Sequence, residues 1–291
     1  MKFFDSHTHL FTRRIIDNIV TRADLIQALD LNINDIDARL SAAALTDAMS
    51  AAGVCGALML PTADVAKIAN VNRDSVKTAS EVPGLQTAGT LHPGYKDIDG
   101  ELSWLAEAGV RVIKLCSFSQ KFSLSDPETY KMFDRIQSFN AAARASFSVI
   151  LDTLTPADRF FGANPEHTTT PLRLMDLVRR YPGVRFIGAH MGGLGAPFGD
   201  LERHLWPMPN FYLDTANAAH TLTQNQFVKM LLRHGPEHIL FGTDWPWFMH
   251  KSEIDLVDAR METAGFSTGE KQAVFRYNIE EILGIAPSAH E

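Results

Sequence analysis

Short apolar runs recur along the whole chain and alternate with stretches in which apolar residues are spaced three and four apart. The runs predict β-strands, and the intervening stretches, such as Pro127–Ala143 and Pro171–Tyr181, predict helices that each begin with a proline in the first turn. The predicted strands are Phe3–Asp5, Val54–Leu60, Leu85–Thr90, Val110–Leu115, Phe147–Asp152, Val184–Ala189, Asn210–Asp214 and Ile239–Gly242.

Strand and helix alternate in about eight units, and this repetition predicts a parallel sheet, because each parallel crossover needs its own helix. An open doubly wound sheet would carry a glycine-rich nucleotide loop after its first strand, where this chain has His7, Thr8 and His9. The pattern therefore predicts an α/β fold, a (β/α)₈ TIM barrel, formed by a single domain over residues 1–291.

Two segments exceed what a minimal barrel needs. Leu10 to Leu40 form an insertion of helical character after the first strand, and Thr153 to Thr170 form a long loop after the fifth. Both follow the carboxyl ends of strands, where barrel enzymes carry their active sites. We expect both segments to shape the active-site face.

Composition narrows the class of protein. The chain is 45% hydrophobic and 21% charged, with a formal net charge of −7 and no cluster of Lys and Arg. This balance argues against a nucleic-acid partner, and no apolar stretch approaches the length of a membrane span or a secretory leader. Cys55 and Cys116 lie in apolar runs, which predicts reduced, buried thiols in a cytoplasmic protein.

Candidate chemistry lies at the predicted strand ends. Because side chains alternate along a strand, His7 and His9 should project to the same side. His190 ends the sixth predicted strand and Asp244 follows the eighth, which is the neighbour of the first strand in a closed barrel. Two imidazoles beside a carboxylate provide three ligands for a divalent metal and leave room for water.

These motifs resemble a known family. The HTH of residues 7–9, GAHMGG at strand six and FGTDWPW at strand eight resemble the amidohydrolase superfamily. More narrowly they resemble its amidohydrolase-related branch, which includes aminocarboxymuconate-semialdehyde and resorcylate decarboxylases, pyrone-dicarboxylate and sugar lactonases, and oxalomesaconate hydratase. GVRVIKL, FYLDTAN and the closing segment FRYNIEEILG are also similar, so the likeness covers nearly the whole chain.

The resemblance implies roles for individual residues. His7 and His9 would be metal ligands, and Asp244 would be a ligand or the general base that takes a proton from water. His190 would ligate the metal, polarise the substrate carbonyl or hold the water. The implied cofactor is one divalent metal, with zinc first and manganese or iron as alternatives.

Asp152 departs from the family pattern, which has a histidine ligand at the end of strand five. Asp152 could ligate through oxygen, could cap a local turn, or could mark a site whose metal is weak or absent, as in the branch's metal-independent lactonases. Lys114 ends strand four, where binuclear members of the superfamily carry a carboxylated lysine. In this branch the comparable lysine is a plain cation, and it could pair with a substrate carboxylate.

Several further residues follow predicted strands and are candidates for substrate contacts. They carry positive charge, an imidazole or an aromatic ring suited to a small acid. The full set is Lys114, Arg13, Arg14, His92, Arg159, Trp245 and His220.

The first hypothesis for the function is hydrolysis of a small carboxylated or sugar-derived lactone, ester or amide by metal-activated water. The alternatives are non-oxidative decarboxylation of an unsaturated or aromatic acid on the same ligands, a metal-independent lactonase, and an inactive barrel that binds a ligand. The expected partner is a small-molecule substrate, and homo-oligomer formation stays open.

Overall fold

The structure, a computed structural model, describes residues 1–142 and 146–286. Within them the strands are β1 (Phe3–Thr8), β2 (Val54–Met59), β3 (Leu85–Thr87), β4 (Gly89–Thr90), β5 (Val112–Leu115), β6 (Ser148–Leu151), β7 (Arg185–Gly188), β8 (Phe211–Asp214) and β9 (Ile239–Leu240). All paired strands run parallel, in the orders β1-β2-β3 and β4-β5-β6-β7-β8-β9.

Helices connect these strands on the outside of the sheet. Those in the described residues are α1 (Arg13–Val20), α2 (Ala23–Leu29), α3 (Ala42–Ala52), α4 (Ile68–Glu81), α5 (Ile98–Glu107), α6 (Ser117–Gln120), α7 (Pro127–Ala141), α8 (Ala157–Phe161), α9 (Pro171–Arg180), α10 (Phe198–His204), α11 (Ala218–Thr221), α12 (Gln224–His234), α13 (His250–Ala264), α14 (Thr268–Gln272) and α15 (Asn278–Leu283). Short 3₁₀ turns cover Ile36–Arg39, Val65–Lys67, Pro165–His167, His190–Gly192 and Pro236–His238, and Ala273–Tyr277 is π-helical.

The two runs of strands belong to one closed sheet. β3 and β4 occupy a single strand position interrupted at Ala88, whose N–H donates to the last carbonyl of β2 at 2.9 Å. At the other side, Ser6 N–H donates to the Phe241 carbonyl at 2.8 Å, and Asp244 N–H donates to the His7 carbonyl at 2.9 Å. These bonds join the first and last strands, and the predicted (β/α)₈ TIM barrel is confirmed.

The predicted strands are found in place, with differences at their ends. β1 continues to Thr8, so His7 lies within the strand. The predicted Leu85–Thr90 is divided at Ala88, and the last strand ends at Leu240. It ends there because the N–H of the next residue, Phe241, donates to the Val274 carbonyl instead of continuing the ladder. The predicted helix from Pro127 agrees with α7, and Ala143, its expected last residue, lies outside the described residues.

The barrel interior is packed with apolar side chains, and charged side chains lie at the carboxyl-terminal end of the barrel. One buried cluster contains Phe4, Leu58, Leu60, Ala88, Val112, Ile150, Ile187, Ala189 and Leu240, together with Ile279 and Ile282 of α15. Lys114 and Asp152 come two residues after Val112 and Ile150. The period of two therefore directs them to the same side as this cluster, at the carboxyl ends of β5 and β6.

The insertion between Leu10 and Leu40 is helical, as predicted, since it contains α1, α2 and a 3₁₀ turn. It packs against the loops after β6 and β7 and the segment after β9. The apolar cluster they form contains Ile16, Leu25, Leu29, Leu31, Ile36, Leu154, Ala157, Phe160, Leu194, Trp247 and Phe248.

The two thiols differ in burial. Cys116 is buried, but the prediction is wrong for Cys55, which is exposed. Cys55 is the second residue of β2 and the one residue of that strand that is exposed, and an apolar run does not reveal where a strand meets solvent. Among the described residues, none of the helices combines the length and the apolar character needed to span a bilayer.

Candidate metal centre

Three side chains meet at the carboxyl-terminal mouth of the barrel. The Nε2 atoms of His7 and His9 are 3.1 Å apart. Oδ1 of Asp244 lies 3.6 Å from Nε2 of His7 and 3.5 Å from Nε2 of His9. The structure thus brings together two imidazole nitrogens and one carboxylate oxygen from the two ends of the chain. We call His7, His9 and Asp244 the ligand group.

The backbone beside the ligand group is held by Asp5. Its buried carboxylate accepts from the N–H of His7 at 2.9 Å, from the N–H of Thr243 at 3.0 Å and from the Thr243 hydroxyl at 2.5 Å. Asp244 then adopts a φ of +63°, a left-handed conformation that residues other than glycine seldom adopt. These constraints place the side chains of His7 and Asp244 next to each other.

Asp214, the last residue of β8, supports two histidines. Its Oδ2 lies 2.8 Å from Nδ1 of His7, and its Oδ1 accepts from the N–H groups of His190 at 2.7 Å and Ala216 at 3.2 Å. Nδ1 of His190 donates to the Ala216 carbonyl at 2.9 Å, which leaves its Nε2 without a proton when the ring is neutral. The His190 and His7 ring centroids are 4.7 Å apart.

The hydrogen bonds decide which ring nitrogen of each ligand histidine carries the proton. Nδ1 of His7 donates to the Asp214 carboxylate, and Nδ1 of His9 donates to the Leu60 carbonyl at 3.1 Å. In neutral rings both Nε2 atoms then hold lone pairs. Two lone pairs 3.1 Å apart, with a carboxylate oxygen beside them, repel one another unless a positive charge lies among them. The residues therefore fit a divalent metal, with Asp214 orienting His7.

Burial and neighbouring charges set the protonation of these groups. Burial, assisted by the positive charges of Lys114 and His190, holds the pKa of His7 well below its usual value, so the ring is neutral. Burial raises the pKa of Asp244, but the neighbouring imidazole groups, His9 first and then His190 and His7, outweigh this effect. The pKa of Asp244 is therefore below its usual value, and this carboxylate is ionised. Burial raises the pKa of Asp214.

A second row of polar groups adjoins the ligand group. Nζ of Lys114 lies 3.8 Å from Oδ2 of Asp152, which lies 4.0 Å from Nε2 of His190. The Lys114 side chain is 1% exposed, and its Nζ makes no hydrogen bond among the described residues. Oδ1 of Asp152 accepts from the N–H of Leu154 at 3.0 Å. Asp152 thus faces Lys114 and His190. Among the described residues, it does not belong to the groups of side chains whose donor atoms lie close enough together to share one metal ion.

A cavity of about 980 Å³ opens beside the ligand group, with His9, Lys114 and Asp152 in its wall. Both inserted segments line it, as expected. The other lining residues are Phe11, Thr12, Arg14, Ile15, Asn18, Ile19, Thr62, Asp64, Cys116, Phe118, Ser119, Lys121, Phe161, Gly162, Ala163, Asn164 and His167. Burial raises the pKa of Cys116 to about 12, so its thiol stays protonated. The lining suits a small molecule with an apolar body and an acidic group.

Of the predicted substrate contacts, Arg14 and Lys114 line the cavity, whereas three lie on other surfaces. Arg13 is exposed and pairs with Asp17 and Asp37, each at 2.7 Å. His92 donates from Nε2 to the last carbonyl of α6 at 3.0 Å, and Arg159 is exposed with its guanidinium over the ring of the next residue. Within the described part of the chain, none of these three is among the residues that line the cavity.

Trp245 and His220 are also placed away from the cavity lining. Trp245 is 1% exposed, and its ring stacks on that of His250 with centroids 5.5 Å apart. His220 lies between Asp30 of the insertion, at 3.1 Å, and the buried Glu253 of α13, at 3.0 Å. Its contacts therefore join the insertion to the barrel.

Sequence reasoning missed two carboxylates that organise the site. Asp5 and Asp214 are fully buried and bond to the segments that carry His7, His190 and Asp244. A signal was present, since each is an aspartate within a buried strand, and a buried carboxylate requires partners. The sequence does not identify those partners, which come from distant parts of the chain.

Solved structures with the same fold include enzymes of more than one reaction type. Dihydroxybenzoic acid decarboxylase from Polaromonas sp. JS666, with bound manganese and the inhibitor 2-nitroresorcinol, has a TM-score of 0.68 at 17% identity and covers 99% of this chain and 97% of its own. 5-Carboxyvanillate decarboxylase from Sphingomonas paucimobilis has a TM-score of 0.67 at 16% identity, covering 98% and 99%. A protein described as a 2-pyrone-4,6-dicarboxylic acid hydrolase from Pseudomonas putida has a TM-score of 0.61 at 19% identity, covering 98% of each chain.

The protein is a closed barrel with a group of two imidazoles and a carboxylate at its mouth that could hold a metal ion. The family model described as Amidohydrolase (Amidohydro_2) matches residues 4–285, and the chain belongs to this family. No curated protein sequence matches the chain significantly. The resemblance found in the motifs is confirmed: this is an enzyme of the amidohydrolase superfamily, within a metal-dependent family.

Proposed function

We propose that this chain is a metal-dependent hydrolase that opens a small carboxylated or sugar-derived lactone, ester or amide, and that it works as a single domain. One observation carries the proposal: two imidazole nitrogens and a carboxylate oxygen converge beside a cavity that also holds a buried lysine. The manganese bound to the structurally similar Polaromonas decarboxylase supports a divalent metal as the cofactor.

The ligand group would hold one divalent ion, with zinc as the first candidate because its preferred ligands are imidazole nitrogen and carboxylate oxygen. Manganese and iron also accept this donor set. When bound, such an ion supplies Lewis-acid activation of a carbonyl group and of water. His190 and Asp152 lie next to this position and could serve as further ligands of the ion.

The protein's own groups account for proton transfer. Among the described residues no hydrogen-bond partner of Asp244 Oδ2 is found, so this oxygen is available to take a proton from water as the water oxygen bonds to the carbonyl carbon. Asp244 then gives that proton to the leaving oxygen or nitrogen as its bond to carbon breaks. His190, in its protonated form, donates from Nε2 to the carbonyl oxygen, and Lys114 pairs with the substrate carboxylate.

Decarboxylation of an unsaturated or aromatic acid is the second candidate. Lys114, which is buried beside the ligand group without a hydrogen bond among the described residues, would hold the substrate acid in this reaction as it would in hydrolysis. The decarboxylases among the similar structures support the same alternative. The two reactions differ in their products, since hydrolysis releases a new acid and decarboxylation releases carbon dioxide.

The test begins with elemental analysis of protein purified without added metal, followed by a panel of carboxylated lactones, esters, amides and aromatic acids. We expect close to one bound metal, and a loss of activity by orders of magnitude on chelation or in the His7→Ala, His9→Ala double variant. Less than about a tenth of an equivalent of metal, with activity retained, would instead indicate a metal-independent lactonase using Asp244 and His190. Activity that survives in every ligand-group variant would contradict the whole assignment.

A further inference from the structure

Arg39 is a buried guanidinium whose hydrogen bonds go to backbone carbonyls. It belongs to the insertion and is 7% exposed. Nη1 donates to the carbonyls of Pro246 at 2.7 Å and Trp247 at 3.3 Å. Nη2 donates to the carbonyls of Asn32 at 3.0 Å and of Asn34. The planar guanidinium thus joins the insertion to the segment after β9. Among the described residues, Arg39 forms no ion pair with a carboxylate.

The segment that Arg39 holds is the turn that follows the ligand Asp244. Within this turn, Trp247 N–H donates to the Asp244 carbonyl at 3.0 Å, and the Trp245 carbonyl accepts from His9 N–H at 2.8 Å. Pro246 and Trp247 are buried, and their carbonyls accept hydrogen bonds from Arg39. A buried carbonyl left without a partner is unfavourable, so Arg39 stabilises the turn in this form.

Asp244 depends on such support because its backbone is in the left-handed region. A φ of +63° is unfavourable for a residue with a side chain, and it persists when surrounding contacts hold it. The preceding residue is held by Asp5, and the turn after Asp244 is held in part by Arg39. The direction of the Asp244 carboxylate therefore depends on both supports.

Apolar contacts connect the insertion to the second ligand as well. Ile36 lies in the same buried cluster as Trp247. The Trp247 and Phe11 rings are 5.9 Å apart, and Phe11 stacks on the His9 ring with centroids 4.4 Å apart. The contacts of the insertion therefore extend to two of the three members of the ligand group.

We propose that Arg39 is a positioning residue of the metal centre. By donating to the carbonyls of Pro246 and Trp247, it fixes the turn that follows Asp244. The folded conformation of the insertion is thereby coupled to the geometry of the ligand group. This inference rests on the metal site of the proposed function. It adds that the insertion, besides lining the cavity, supports metal binding through one side chain.

The chain offers a matched control in Arg22. This residue also fastens the insertion to the barrel, through the Phe160 carbonyl at 2.6 Å and the Phe161 ring, but its described contacts do not include the turn after Asp244. We would measure Zn²⁺ affinity of the metal-free protein by competition with a chromogenic chelator. Arg39→Met should weaken Zn²⁺ binding by about 10- to 100-fold, as loss of groups that orient ligands typically does, and Arg22→Met by less than about twofold.

Arg39→Lys separates charge from geometry, because one ammonium cannot span both pairs of carbonyls. It should bind Zn²⁺ more weakly than the wild type and should fold even if Arg39→Met does not, as circular dichroism will show. Wild-type affinity in a folded Arg39 variant, or an equal loss in Arg22→Met, would overturn the positioning role. If the wild-type chain itself binds neither Zn²⁺ nor Mn²⁺, the proposed function fails first, and that result is distinct from a loss confined to the Arg39 variants.

Discussion

Nδ1 of His7 lies 2.8 Å from Oδ2 of Asp214, and both side chains are fully buried. The contact joins residues 207 positions apart in the chain. It makes Nδ1 the protonated nitrogen of His7 and directs the lone pair of Nε2 toward His9 and Asp244. The state of the ligand group thus depends on a carboxylate that is not itself in the group.

Asp214→Asn should weaken metal binding while changing the size of the side chain very little. The amide oxygen can still accept from the N–H groups of His190 and Ala216, which places the NH₂ group opposite His7 Nδ1. A donor there favours the tautomer with the proton on Nε2, which removes the lone pair that binds metal. We expect Zn²⁺ affinity to fall by about 10- to 100-fold in chelator competition.

The control for Asp214→Asn is Asp17→Asn, which changes an exposed carboxylate that pairs with Arg13. It should leave Zn²⁺ affinity unchanged. Equal affinities in Asp214→Asn and the wild type would show that the orientation of His7 does not depend on this carboxylate.

Lys114→Met should separate ligand binding from stability. Nζ is buried without a hydrogen bond among the described residues. Its removal should therefore leave the free energy of unfolding unchanged or raise it by about 1–3 kcal/mol, and the melting temperature should not fall. The same change should weaken binding of small carboxylic acids at least about tenfold, because a charge-assisted contact to the acid is lost. Calorimetric titration and thermal unfolding measure the two effects.

Lys131→Met is the matched control, since Lys131 is exposed and pairs with Glu128 on α7. It should alter neither quantity. A clear fall in the melting temperature of Lys114→Met would mean that the pair with Asp152 stabilises the fold, and unchanged acid binding would remove Lys114 from the substrate contacts.

Adjacent residues of α1 should respond differently to truncation. Ile16 is fully buried in the cluster under the insertion, and Ile15 is 42% exposed and lines the cavity. Ile16→Ala should lower stability by about 2–5 kcal/mol. Ile15→Ala should leave stability nearly unchanged and raise KM by up to about tenfold, because only substrate contact is lost. The reverse pattern in urea unfolding and steady-state kinetics would contradict this assignment of faces.

His234 should make the protein less stable in acid. Burial lowers its pKa from 6.5 to about 3, and neither ring nitrogen has a partner among the described residues. Between those values the unfolded chain binds a proton that the folded chain does not. Stability is therefore lost as the pH falls below about 6.5, by about 3 kcal/mol at pH 4.5 if this group acts alone.

His234→Leu should remove that contribution, giving a shallower decline of stability between pH 6.5 and 4.5 and higher stability at low pH. Urea unfolding at several pH values measures the difference from the wild type. Met230→Leu, a change at a buried position of the same helix that does not titrate, should keep the wild-type slope. An identical slope in His234→Leu would show that His234 is solvated in the folded protein.

Much of the site could be predicted because it depends on local order. His7, His9 and His190 lie within two residues of a strand end and Asp244 four residues beyond one, and parallel strands place all such ends on one rim. Their assignment as metal ligands stays a prediction, which the chelation experiment tests. Asp214 and Arg39 could not be found in this way, because each acts through a contact with a distant segment.

The sequence by itself determined the order of strands and helices and the rim on which the histidines lie, because these follow from apolar spacing and alternation along neighbouring residues. Only the tertiary structure decided which charged groups serve the cavity. Arg13 and Arg14 are adjacent in the chain, yet Arg13 pairs with Asp17 and Asp37 on the surface while Arg14 lines the cavity. Successive helix residues point about 100° apart, and what each one meets depends on segments that only folding brings near.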